Sequence, residues 1–249
     1  MVRTVKVFRI HLAPRKRDRV LVHIEGLTPL EIALDVAERF GIHVGTVLQP
    51  ADLARLEADD ARWRVRQAAL HLLAYRPRAE HELRTRLKAK GFAPDAVEWC
   101  LQRLREQGLV DDHAFASAYA RGRIRLRPCG RFRLSRELRQ RGIAADVADA
   151  TIAAAFRDEE TSEQTLAIEA ARSWVRRQSR TGAEALAAKD SSKERERGRR
   201  RLHAFLARRG FAPDPIRVAL AEALELAAQL RGLGALSRPE PPSLRPEAP

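Results

Sequence analysis

The chain has 249 residues, 45% of them apolar but only 5% aromatic, and 47 Lys and Arg against 33 Asp and Glu give it a net charge of +14. No stretch approaches the ~18 uninterrupted apolar residues of a membrane-spanning helix. The opening MVRTVKVFRIHLAP lacks a signal-like hydrophobic region, and Cys100 and Cys129 are too few for a disulfide framework or a zinc site. A soluble protein of a reducing compartment is the expectation.

Residues 2–11 and 19–25 alternate apolar and polar side chains at period two and predict two antiparallel strands. A helix is expected from Pro29 to Phe40, with Thr28 as N-cap, Pro29 at the first helical position and Gly41 ending it. Gly45 and Pro50 then break the chain before an acidic helical stretch, Ala51 to Asp60. Residues 1–60 thus read as a small α+β element containing a β-hairpin, too small to hold much core alone.

From Arg62 the period becomes helical and the chain repeats itself. ELRTRLKAKGFAPDAVEWCLQRL from Glu82, RLSRELRQRGIAADVADATIAAA from Arg133 and RLHAFLARRGFAPDPIRVALAEA from Arg201 align without gaps. Each has Leu eight and four residues before a glycine: Leu83 and Leu87 before Gly91, Leu134 and Leu138 before Gly142, Leu202 and Leu206 before Gly210. A base precedes each glycine, a bulky apolar residue (Phe92, Ile143, Phe211) follows it, and Asp95, Asp146 and Asp214 stand four positions on.

The leucines mark one face of a short helix, and the glycine stops it in the left-handed conformation. The next helix starts at Pro94, Ala145 or Pro213, with the Asp in its first turn at the positive end of the dipole. Its apolar face carries Val97, Cys100, Leu101 and Leu104 in the first copy, Val147, Thr151, Ile152 and Ala155 in the second, and Ile216, Leu220 and Leu224 in the third. A further helix precedes each pair: Arg62–Tyr75, Asp112–Leu126 and Glu160–Arg177.

The fold expected is mainly α: three tandem three-helix repeats (61–109, 110–157 and 158–232) stacked into an elongated curved rod. The glycines are 51 residues apart between the first two copies and 68 between the last two, and the surplus fits a polar insert from Ser179 to Arg195. The Pro-rich residues 233–249 are expected to be disordered.

Charge is unevenly spread. Residues 1–60 are neutral, 61–156 carry +10 and 157–249 carry +4. Within the middle third lie Arg121, Arg123, Arg125, Arg127, Arg131, Arg133, Arg136, Arg139 and Arg141, with Glu137 alone opposing them. Such a field attracts a polyanion or an acidic protein groove. Arg121, Arg123 and Arg125 step around one helix by about 100° per residue, so they cannot all face one way and at least one is structural.

Nothing in the sequence supports catalysis or a cofactor. The seven histidines are scattered without HExxH spacing, and no glycine-rich phosphate loop occurs. Cys100 falls on a buried helix face; the basic turn around Cys129 would lower its thiol pKa if the thiol were active, but an incidental small residue is the commoner case. Asp111-Asp112 reads as a helix N-cap rather than a catalytic pair. Phe115 and Tyr119, four apart, read as core, whereas Phe132, inside the arginine run, is the better candidate for stacking on a nucleic-acid base.

Three segments carry a family resemblance: YRPRAEHELRTRLKAKGF at 75–92, GLVDDHAFASAYARGRI at 108–124 and RFRLSRELRQRGI at 131–143. The second has an acidic pair, then Phe-Ala, then Tyr, then Arg-x-Arg-Ile. With the repeats, the chain resembles the RecX family of bacterial regulators of the RecA recombinase over about residues 62–231. Its first 60 residues are similar to the strand-containing extension of longer members.

The resemblance implies a modular, crescent-shaped helical protein in the deep groove of the RecA–single-stranded-DNA filament. There it modulates filament growth, ATP hydrolysis, strand exchange and the coprotease activity that drives the SOS response. It also implies direct binding of DNA, single- or double-stranded, in some members; a cytoplasmic monomer that needs no cofactor is the expectation for this chain. The alternative is a stand-alone basic DNA-binding protein that touches no RecA. The longer third repeat, the N-terminal segment and the tail depart from the pattern.

Overall fold

The computed structural model describes residues 4–14, 16–177 and 193–236, the last six as backbone only. The chain divides into two compact units, Met1–Phe115 and Ala116–Pro249.

The first unit opens with β1 (Val5–Leu12), β2 (Arg19–Ile24) and β3 (Leu30–Ala33), then α1 (Leu34–Arg39) and β4 (Val47–Leu48). The strands form one antiparallel sheet in the order β3-β2-β1-β4, with a bulge in β1 between Val7 and Arg9. Period-two alternation foretold β1 and β2. The helix expected over Pro29–Phe40 is instead half strand: Leu30 pairs with Val22 and Ile32 with Val20. That pairing buries Ile32 and Ala33 in the sheet core, a tertiary gain that overrides the local Thr-Pro helix signal. Helix α1 therefore begins at Leu34, with neither Thr28 nor Pro29 at its start.

The two helices expected on either side of Ala61 are one, α2 (Pro50–Tyr75). Gln49 and Asp52 form a capping box at its start, the Gln49 amide donating to Asp52 Oδ2 at 2.9 Å. Asp60, expected to close a helix, lies inside one and is 6% exposed. Its Oδ1 accepts from the Ala33 amide at 2.8 Å and its Oδ2 from Arg19 at 3.0 Å. Burial opposes the charge on Arg19, but hydrogen bonds and charge from Asp60 and Glu31 outweigh it and raise the guanidinium pKa. This ionic joint fastens the sheet to the middle of α2.

The repeats follow as α3 (Glu80–Ala89), α4 (Pro94–Glu106), α5 (Asp112–Leu126), α6 (Arg131–Arg139), α7 (Ala145–Asp158), α8 (Glu163–Arg176), α9 (Lys193–Arg208) and α10 (Pro213–Leu236). The second half of α2 packs with α3 and α4 around Val65, Ala69, Leu83, Leu87, Val97 and Leu101. The helices α8, α9 and α10 likewise pack on one another.

All six repeat leucines are fully buried. Gly91, Gly142 and Gly210 take φ of 84°, 85° and 76°. In each copy the amide after the glycine (Phe92, Ile143, Phe211) turns back to the second leucine's carbonyl, at 3.4, 3.2 and 3.4 Å. Asp95, Asp146 and Asp214 all lie in the first turn of the following helix.

Several details depart from the sequence reading. Helix α8 starts at Glu163, not Glu160, because Glu160 takes φ 47° and Ser162 accepts from the Thr165 amide at 3.0 Å as N-cap. Among the described side chains of α10, Ile216, Ala219, Ala223 and Ala227 are buried and Leu220 and Leu224 half-buried. Those small side chains match Ala167, Ala170 and Ala171, buried on α8, and let the two helices approach closely, so alanine replaces leucine as the core residue.

On α5 the buried residues are Ala116, Ala120 and Ile124, while Phe115 and Tyr119, expected as core, are half-buried. Residues 233–236, expected as tail, continue α10, and 193–195, expected in the insert, open α9. The rest of both segments (179–192 and 237–249) lies outside the described residues.

Candidate functional site

The repeats cap one another. Asp111 is the N-cap of α5, its Oδ1 accepting from the amides of His113 and Ala114 at 2.8 and 2.9 Å. Asp112 then points elsewhere: its Oδ1 accepts from the Glu80 amide at 2.8 Å, at the start of α3. Burial raises the Asp112 pKa, partly offset by that hydrogen bond. Glu163, first residue of α8, does the same in the second unit. Its Oε1 accepts from the Arg131 amide at 3.2 Å, at the start of α6, and from the Ala212 amide at 2.9 Å, just before α10.

The nine arginines divide by the carboxylates they meet. Glu137, the lone acid in the run, is a hub rather than a bystander: Tyr119 donates to its Oε2 at 2.6 Å, and Arg123 and Arg133 to its Oε1 at 3.0 and 2.8 Å. Arg141 donates to the Glu137 carbonyl at 2.7 Å and lies over the Tyr119 ring, 4.4 Å from its centroid. Burial alone would raise the Glu137 pKa, but the Tyr119 and Arg133 hydrogen bonds and the Arg123 and Arg133 charges hold it below the usual range. The Arg123 side chain, 17% exposed, is the structural member expected among the α5 arginines.

Acids from outside the run take three more. Arg121 faces Asp158 at 3.7 Å, Arg125 pairs with Glu159, and Arg131 lies 3.5 Å from Glu163 with its guanidinium over Phe156. Among the described residues, Arg127, Arg136 and Arg139 are the members of the run that are exposed and make no ion pair. Phe132, Arg136 and Arg139 stand at i, i+4 and i+7 on α6, one exposed stripe opposite the buried Leu134 and Leu138.

Beside that stripe the third repeat adds cations that the sequence reading did not include. A groove is lined by Phe132, Arg133 and Arg136 from α6 and by Phe205, Arg208, Arg209 and Gly210 from the end of α9. The Gly130 and Phe132 amides donate to the carbonyls of Arg209 and Gly210 at 3.0 and 3.2 Å. A Cβ on Gly130 would overlap the Gly210 carbonyl, and one on Gly210 would overlap Arg133. Gly130, in PCGRF, is the N-cap of α6, and the close backbone approach excludes any side chain there.

Cys100 and Cys129 are buried, and burial raises both thiols, Cys100 to about 11. The arginines around Cys129 pull its pKa down by less than burial pushes it up. Among the described residues no three His, Cys, Asp or Glu side chains converge to hold a metal, and no helix is long and apolar enough to cross a membrane.

Tandem three-helix modules whose acids cap neighbouring modules, with exposed cationic side chains on the second, define a helical-repeat protein. Residues 66–104 match the family model for the first three-helix domain of RecX, and 111–152 that for the second. A regulatory protein RecX of Halorhodospira halophila is 37% identical over 169 residues, covering 68% of this chain and 94% of the relative. One from Halalkalibacterium halodurans is 30% identical over 176 residues, covering 69% of this chain and 64% of the relative. A crystal structure of a regulatory protein RecX shares the fold at TM-score 0.63 and 24% identity, covering 86% of this chain and 98% of that one. The chain belongs to the RecX family of regulatory proteins.

Proposed function

We propose that this chain binds in the groove of the RecA filament on single-stranded DNA and restrains its ATP hydrolysis, strand exchange and SOS coprotease activity. It acts as a cytoplasmic monomer with no cofactor. Family membership supports the regulatory role. The observation that carries the contact is the set Arg127, Arg136 and Arg139 on the second repeat, exposed and without an ion pair among the described residues. Cations without internal partners keep their full attraction for phosphates and acidic side chains, whereas an arginine already bound to a carboxylate must first give it up.

The test uses filaments assembled before this protein is added, at salt high enough to abolish its binding to naked DNA. Retained binding there is the expected result and marks direct RecA contact. Arg127→Glu, Arg136→Glu and Arg139→Glu together should abolish it with helicity intact. Binding that vanishes together with naked-DNA affinity would instead favour the stand-alone DNA-binding reading.

A further inference from the structure

We propose that the groove between α6 and the end of α9 is a subsite for one unpaired nucleotide of a single nucleic-acid strand, its base on the Phe132 ring and its phosphate against Arg136 and Arg208. The inference deepens the filament reading by naming the strand as a ligand of this surface.

Phe132 is 64% exposed, on the helix that carries the unpaired Arg136 and Arg139. Its position is fixed from both sides of the seam: its amide donates to the Gly210 carbonyl at 3.2 Å, and the Gly130 amide ahead of it to Arg209 at 3.0 Å. These bonds fix the backbone that carries the ring beside the third repeat, so no segment has to be ordered to present the exposed phenyl face to a planar partner.

The opposite wall is equally fixed. The Arg209 guanidinium lies 4.7 Å from the centre of the Phe205 ring and donates to the Pro128 carbonyl at 3.2 Å. Burial and the nearby charges of Arg177, Arg133 and Arg123 lower the Arg209 pKa, which marks a concentration of positive charge. Among the described residues no carboxylate lines the groove, and Arg136 and Arg208 are exposed without an ion pair.

An acidic peptide would satisfy the guanidinium groups but leave the phenyl face wet. A duplex would offer phosphates but keep its bases stacked away from Phe132. A single strand offers an unstacked π face and an adjacent phosphate together.

The test measures anisotropy of the full chain with labelled oligothymidylate and with an abasic deoxyribose-phosphate strand of equal length, without RecA. Phe132→Ala should weaken thymidylate binding by about ten-fold and leave abasic binding unchanged. Phe132→Trp should restore affinity and show indole quenching when thymidylate binds. Arg136→Gln with Arg208→Gln should weaken both strands.

A Phe132→Ala variant, folded by circular dichroism, that loses neither strand or both alike would overturn the proposal. So would competition by oligoglutamate that itself depends on Phe132, the outcome of an acidic-peptide site. Intact thymidylate recognition with no binding to preassembled filaments would sink the filament reading and leave this one standing.

Discussion

The Asp112 carboxylate accepts from the backbone amide of Glu80 at 2.8 Å, 32 residues upstream, and the Glu163 carboxylate stands in the same relation to Arg131, also 32 residues upstream, at 3.2 Å. The N-cap residues of the helices being served, Ala79 and Gly130, offer no side-chain acceptor. The first two repeats therefore leave the start of the middle helix to be capped by the acid that opens the next repeat's first helix. A helix start is a cluster of unsatisfied amides, so order in one repeat depends on the arrival of the next.

Removing those acids should cost stability in proportion to the amides stranded. Asp112→Ala leaves one amide unserved and is expected to cost about 1–2 kcal/mol. Glu163→Ala leaves two and is expected to cost about 2–3 kcal/mol. Urea denaturation of each variant measures this, and equal losses would contradict the double role of Glu163.

Gly130→Ala tests the seam between the second and third repeats. Its new methyl group overlaps the Gly210 carbonyl, so the turn at 209–211 must move away from α6. The expected loss is about 2–3 kcal/mol, read as a lower unfolding midpoint. Gly122→Ala, at an open position on α5, should be neutral or slightly stabilising.

Glu137 gives a pH signature. Its folded-state pKa lies below the usual value, held there against burial by Tyr119, Arg133 and Arg123. A depressed carboxylate contributes stability that is complete above its unfolded value of about 4.3 and is lost as pH falls through the folded value. The stability gap between the natural chain and Glu137→Gln should therefore be widest near neutral pH and close on acidification. A gap independent of pH would remove the charge from the account and leave only hydrogen bonding.

Thiol chemistry checks the burial of the two cysteines. Because desolvation raises both pKa values, neither thiol should react with Ellman's reagent in the folded chain at neutral pH, and both should react in denaturant. Rapid native labelling of Cys129 would mean that its basic neighbours prevail over burial.

The repeat was legible because its signals are local: two leucines one helical turn apart, a glycine stop and a first-turn Asp each report on their own helix. The split of Pro29–Phe40 into strand and helix was not, since it is decided by pairing with Val20 and Val22. Nor was the burial of Asp60 inside α2, where its carboxylate meets Arg19, 41 residues away. For the candidate site, the arginine run announced the charged repeat but not which members remain unpaired. That depends on Asp158, Glu159 and Glu163, brought back by the fold from beyond the run. Phe205, Arg208 and Arg209 went unnoticed because they lie about 70 residues downstream of Phe132 and join it only through the glycine seam.

The central claim is that the unpaired cations of the second repeat engage a RecA filament, and steady-state ATP hydrolysis by RecA on single-stranded DNA tests it most directly. Substoichiometric amounts of the natural chain should slow hydrolysis, and the Arg127→Glu, Arg136→Glu, Arg139→Glu variant should leave it at the rate of RecA alone. Undiminished hydrolysis with the natural chain, or equal inhibition by the charge-reversed one, would contradict the account.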